Sequence, residues 1–123
     1  MKLRIKGNSI RLRLLRSEVE RFAAEGEISD ELGFGGAALR YSLRMSEKAE
    51  SINAEFANNE IVVLVPDAFA RDWASNDEVG FETEQAIGKD ETLTILIEKD
   101  FVCIDRPQDP DRDDAFPNPN VVC

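Results

Sequence analysis

The feature that most constrains this chain is an alternating pattern that occurs twice. From Lys2 to Leu14 charged and apolar residues alternate, with Leu3, Ile5, Ile10, Leu12 and Leu14 on one face and Lys2, Arg4, Lys6, Arg11 and Arg13 on the other. A period of two is the signature of a strand with one buried face, and Gly7-Asn8 between the runs marks a tight hairpin. At a constant offset of 51 residues Ile5 falls on Phe56, Asn8 on Asn59, Ile10 on Ile61, Leu12 on Val63, Phe22 on Trp73 and Ile28 on Val79. Such self-similarity predicts an internal duplication, with repeat one over residues 1–48 and repeat two over 51–99.

Each repeat reads as strand, strand, helix, strand, strand. In the first, Ser17 and Glu20 have capping-box spacing, Val19, Phe22 and Ala23 form a helical apolar stripe, and Gly26 supplies a left-handed stop. A second hairpin centred on Gly35-Gly36 sets Leu32 opposite Leu39, Ile28 opposite Leu43, Glu31 opposite Arg40 and Glu27 opposite Arg44. In the second repeat the turn is Asn58-Asn59. Ile61 to Val65 form a strand, Pro66 opens a helix bearing Phe69, Ala70 and Trp73, and Val79–Gln85 and Thr92–Glu98 close the unit. The expected fold is a single α+β domain of eight mainly antiparallel strands, in a barrel or strongly curved sheet with two short helices. Closure would remove the sheet edges.

A chain of 123 residues can bury a core without disulfides or metals. There are 25 acidic and 15 basic residues, but residues 1–48 carry ten bases and seven acids while the remainder carries five and eighteen. That acidic balance predicts no nucleic-acid partner. The absence of a membrane-length apolar run or a signal-peptide core predicts a cytoplasmic protein with no membrane association. With no histidine, Ser-His and Cys-His nucleophile pairs and histidine-ligated zinc are excluded.

The hairpin register sets Arg4 opposite Arg11 and Lys2 opposite Arg13, and like charges facing each other across a ladder repel. Two compensations are open. Glu55, Glu82, Glu84 and Glu98 on strands of the acidic half can project into the same space, or the basic wall can hold a phosphate or carboxylate. The leading expectation is a small binding domain rather than an enzyme. It would hold an anionic small molecule inside the barrel through Lys2, Arg4, Lys6, Arg11 and Arg13, with Arg40 and Arg44. The rivals are a metal-dependent phosphohydrolase with Mg²⁺ on Glu55, Glu82 and Glu84, and an interaction module with no small ligand. No cofactor is otherwise expected.

The tail beyond Asp105 holds four of the five prolines and Asp109, Asp111, Asp113 and Asp114. An EF-hand needs glycine at position six and glutamate at twelve, where Asp114 and Asn120 stand. Cys103 and Cys123 bracket this tail. Their proximity is expected, as thiols in a reducing compartment ahead of a disulfide or a metal pair.

Met1-Lys2-Leu3-Arg4-Ile5-Lys6-Gly7-Asn8-Ser9-Ile10-Arg11, with Phe116-Pro117-Asn118-Pro119 and Cys123, resembles a group of short uncharacterised bacterial proteins. That resemblance implies no function. The duplicated topology is similar to the triphosphate tunnel (CYTH) enzymes, whose eight-stranded barrel binds triphosphate with inward bases and Mg²⁺ with inward glutamates. Where those enzymes carry Glu-x-Glu-x-Lys, this chain has Lys2-x-Arg4-x-Lys6. The resemblance therefore implies anion binding without the two metal-binding glutamates.

Overall fold

A computed structural model describes residues 1–100 of the protein. The element order is β1 (Lys2–Lys6), β2 (Ser9–Leu14), α1 (Arg16–Glu25), β3 (Glu27–Gly33), β4 (Ala38–Ser46), β5 (Asn53–Ala57), β6 (Glu60–Pro66), α2 (Asp67–Ser75), β7 (Gly80–Gly88) and β8 (Glu91–Lys99). The hairpin registers follow the sequence pattern. Lys2 pairs with Arg13 and Arg4 with Arg11, while Ile28 pairs with Leu43 and Leu32 with Leu39. The turns use the residues their geometry needs, with Asn58 and Asn59 both at φ near +60° (53 and 61°) as a two-residue type I′ turn requires, and Gly35 at φ 92°.

The pairing of hairpins differs from the single barrel or curved sheet expected. The described residues form two four-stranded sheets, ordered β1-β2-β8-β7 and β3-β4-β6-β5. Each sheet takes the first hairpin of one half and the second hairpin of the other, joined by parallel pairings of β2 with β8 and of β4 with β6. The orders are identical when β1–β4 are exchanged with β5–β8. Helix α1 carries the chain from the first sheet to the second and α2 carries it back, so both helices lie at one end and all four hairpin turns at the other. At the seams where a barrel would close, side chains replace ladders. The Gln85 amide donates to the carbonyl oxygen of Ala54 (3.1 Å) and accepts from its N–H (2.7 Å), linking β7 to β5. At the other seam the Met1 ammonium contacts Glu18 and Asp30, and the Tyr41 hydroxyl donates to the Met1 carbonyl (3.2 Å).

The core fills the helix half of the space between the sheets. Leu12, Leu14, Leu43, Val63, Val65, Ile95 and Ile97 from the four central strands meet Val19 and Phe22 of α1 and Ala70 and Trp73 of α2, all buried. Phe22 and Trp73 occupy the corresponding buried sites in the two helices. Helix α1 begins at Arg16, earlier than the Ser17–Glu20 spacing predicts: the Glu18 carboxylate, not Glu20, reaches back to the Leu15 N–H (2.8 Å). Gly26 ends the helix at φ 79° as expected.

The offset of 51 holds through α2 and then slips. Met45 N–H donates to Gly26 O, and at the same place in the other sheet Lys99 N–H donates to Val79 O, which sets Val79 against Gly26. Ile28 pairs with core Leu43 and Phe81 with core Ile97, so Phe81 and not Val79 is the counterpart of Ile28. Val79, 54% exposed, is outside the core. The two extra residues lie between α2 and β7.

Gly80 is the one glycine that packing forces. A Cβ there would overlap the Ile97 carbonyl oxygen and lie 2.7 and 2.8 Å from Glu98 Cβ and Cα. Gly80→Ala is expected to destabilise the fold by about 1–3 kcal/mol, because backbone cannot swing aside as a side-chain tip can. Gly36, with open space around its α-carbon, is the control. The urea midpoint should fall for the first substitution and stay nearly unchanged for the second.

Candidate functional site

Alternation fixes where the predicted ligand-binding bases go. Leu3, Ile10, Leu12 and Leu14 face the core side, so Lys2, Arg4, Lys6, Arg11 and Arg13 lie together on the outer face of the first sheet. The helix half of the interior expected to hold an anion is packed with apolar side chains. Rows across this face run Arg4–Arg11–Leu96–Glu82, Lys2–Arg13–Glu98–Gly80 and Lys6–Ser9–Thr94–Glu84. Bases occupy β1 and β2, and acids occupy β8 and β7.

The repulsion across the first hairpin is answered from the neighbouring strand. Arg13 donates from Nε and Nη2 to one Glu98 oxygen (2.9 and 2.7 Å), and Arg11 Nε lies 3.7 Å from that same oxygen. Lys2 Nζ contacts Asp100 at 3.0 Å. Glu98 thus meets Arg11 and Arg13, and Asp100 meets Lys2, while Glu82 and Glu84 share the face one strand further on.

Arg40 and Arg44 belong to the other sheet, apart from the first five bases. Their outer face is a second ionic surface, with Arg40 Nε 3.3 Å from Glu60 and Arg44 Nη2 2.9 Å from Glu27. Beneath them Ser42 is fully buried and donates to Glu60 (2.6 Å) while sharing a hydrogen bond with Ser29 (2.9 Å). Glu55 lies on this face beside Val62, on a different sheet from Glu82 and Glu84. Among the described residues, no group of three or more Asp, Glu, Cys or His side chains is placed to hold a metal ion. The three glutamates of the Mg²⁺ expectation are thus not brought together. Cys103, Cys123 and the tail aspartates lie outside the described residues.

The Glu27 carboxyl and the Met1 ammonium are among the groups displaced from their ordinary titration. The hydrogen bond from Arg44 holds the Glu27 carboxyl below its usual value of 4.5, overcoming the opposing effect of burial. A depressed carboxylate contributes stability above its unfolded pKa and loses it as pH falls through the lower, folded value. Glu27→Gln is expected to lower stability at neutral pH by up to about 1 kcal/mol, the scale of a partly exposed pair. The difference from wild type should vanish as pH falls below 4.5 and through the folded value, measured by urea titrations at several pH values. For the Met1 ammonium, burial acts to lower the pKa, but hydrogen bonds to Glu18 and Asp30 outweigh it and the net shift is upward from 8.0. Its contribution is present below that value and lost as pH rises through the folded one.

The feature that sequence reading missed lies at the turn end. The inner faces of the sheets run on past the core, leaving Ile5 of β1, Leu32 of β3 and Phe56 of β5 exposed at inward positions. Phe34, in the turn after β3, and Ile87, at the register shift by the β7–β8 turn, are exposed at the same end of the strands. Phe34 and Phe56 are 70% and 68% exposed, unusual for large aromatics. Ile5 and Phe56 correspond at the offset of 51, so the apolar end draws on both halves. In sequence these residues look like core positions, since alternation does not say how far along a strand the core extends.

The elements define a two-sheet α+β protein with ion-paired outer faces and an apolar end opposite its helices. The chain belongs to DUF7009, a family of unknown function, whose match spans residues 1–120. No curated protein and no solved structure matches it. The resemblance to the triphosphate tunnel enzymes therefore has no counterpart among known relatives, and no helix among the described residues is long and apolar enough to cross a membrane.

Proposed function

We propose that the protein is a non-catalytic interaction module that seats an apolar segment of a partner polypeptide on the turn end of its two sheets. The observation that carries this reading is the exposure of Ile5, Leu32, Phe34, Phe56 and Ile87 at that end. Large apolar side chains gathered outside the core mark contact surfaces, because each gains by leaving water. Lys6, Glu31, Glu55, Glu84, Lys89 and Asp90 lie within three residues of them in sequence, charges of both signs flanking uncharged positions. That is the anatomy of a protein contact and suits an uncharged apolar segment better than an anion.

The anion-binding reading draws on Lys2, Arg4, Lys6, Arg11 and Arg13, of which Lys2 faces Arg13 and Arg4 faces Arg11 across the β1–β2 ladder. Glu98 and Asp100 already answer part of that charge. The phosphohydrolase reading needs Glu55, Glu82 and Glu84 together, and they lie on two sheets.

Selection of binders from a random-peptide display library tests the proposal. Enriched peptides should carry aromatic and aliphatic side chains, lose affinity for Phe34→Ser/Phe56→Ser, and keep it for Arg4→Gln/Arg11→Gln. Enrichment of acidic or phosphorylated peptides that depend on Arg4 and Arg11 would overturn it.

A further inference from the structure

At the end opposite the turns, α1 and α2 pack against each other and leave an open groove of about 470 Å³ lined by Glu20, Ala23, Ala24, Arg71, Ala74 and Ser75. These residues correspond in pairs at the offset of 51: Glu20 with Arg71, Ala23 with Ala74, and Ala24 with Ser75. The small residues match in size, whereas the charged pair is inverted in sign. Flanking positions invert as well, since Arg16 corresponds to Asp67 and Arg21 to Asp72. The helices cross between the sheets in opposite senses, so the groove has an approximate twofold axis between α1 and α2.

We propose that this face associates with a second copy of the chain, α1 of one copy lying along α2 of the other. Two copies can meet face to face about a twofold axis in two ways. Laying α1 on α1 and α2 on α2 would set Glu20 against Glu20 and Arg71 against Arg71. Laying α1 on α2 sets Glu20 of each copy beside Arg71 of the other, twice over, as an isologous contact requires. Like charges forced together in a contact are costly and opposite charges fix its register, so the charge pattern selects the second arrangement. The alanines and Ser75 let helices approach closely at the centre. Among the described residues, the one ion pair of Glu20 is a 3.7 Å surface contact with Arg16, both side chains being largely in water, and it can be exchanged. This inference is independent of the turn-end reading, because it uses the opposite end of the molecule.

Sedimentation equilibrium on the wild type, Glu20→Arg, Arg71→Glu and the double exchange E20R/R71E tests it, with circular dichroism as a check on folding. The wild type should dimerise, and added salt should weaken the dimer. Each single substitution should raise the dissociation constant by at least about tenfold, and the double exchange should restore it, because the pair is re-formed with reversed polarity. A wild type that stays monomeric at all concentrations overturns the proposal, as do single variants that dimerise like the wild type. A double exchange no better than the singles, or a dimer abolished only by Phe34→Ser/Phe56→Ser, also overturns it.

Discussion

Trp73→Ala is expected to cost about 3–5 kcal/mol of unfolding free energy, the largest stability effect among single substitutions in this fold. Trp73 is 1% exposed and lies where α2 meets the core. Phe81 of β7 packs edge-on against it at 5.4 Å, Phe69 packs edge-on against Phe81 at 4.8 Å, and the Lys99 ammonium lies 5.2 Å from the indole centroid. Lys99 also donates to the Asn76 carbonyl (2.7 Å), so the indole ties α2, the loop after it and β8 into one unit. Removing it leaves a cavity that two sheets and a helix cannot jointly collapse. The melting temperature should fall by at least about 10 °C for a domain of this size. Trp73→Phe should cost clearly less, since it keeps much of the volume and removes an indole N–H that is buried without an acceptor among the described residues. Equal losses for the two substitutions would show that aromatic packing does not set the energetics of this site.

The second large effect separates folding from binding. Phe34→Ser/Phe56→Ser should leave unfolding free energy within about 0.5 kcal/mol of wild type per site, because both rings are mostly in water in the free protein. The same double substitution should lower the affinity of a selected apolar peptide by about 100-fold, since buried aromatic anchors carry most of the energy of such contacts. Urea denaturation and fluorescence-anisotropy titration on the same samples read the two quantities. A variant that loses several kcal/mol of stability would mean that the rings belong to the core. An unchanged affinity would mean that the partner sits elsewhere.

Local pairing was legible in the sequence because turn chemistry and alternation act over a few residues. The glycine-containing turns and the paired charges around them define both registers of the first half to the residue. Pairing between halves was not legible. Strands β2 and β8 meet in parallel although Ser9 and Thr94, their first partners, are separated by most of the chain. The apolar strings Ile10-Leu12-Leu14 and Ile95-Ile97 would fit many neighbours equally well. Closure is not legible for a related reason. Nothing in the alternation distinguishes an edge that continues a ladder from one joined through the single side chain of Gln85. The constant offset hid the two residues inserted after α2, which move the inward position from Val79 to Phe81.

The candidate site was legible as a face and not as an enclosure. Opposed positions place Arg4 beside Arg11 wherever the hairpin sits, but whether that face points inward depends on which alternate set is more apolar. Here Leu12 and Leu14 win the interior. The acidic counterpart was foreseen as a set of glutamates on the later strands, of which Glu98 makes the contact because β8 is the strand beside β2. The apolar end could not be found in the same way, since four turns gather there only after the two helices have reversed the chain between sheets.

A chemical-shift footprint of a display-selected apolar peptide on isotope-labelled protein tests the central claim most directly. The account predicts shifts concentrated on Ile5, Leu32, Phe34, Phe56 and Ile87, with the amides of Lys2, Arg4, Arg11 and Arg13 unmoved. A footprint centred on those four basic residues, with the turn end unchanged, would contradict it.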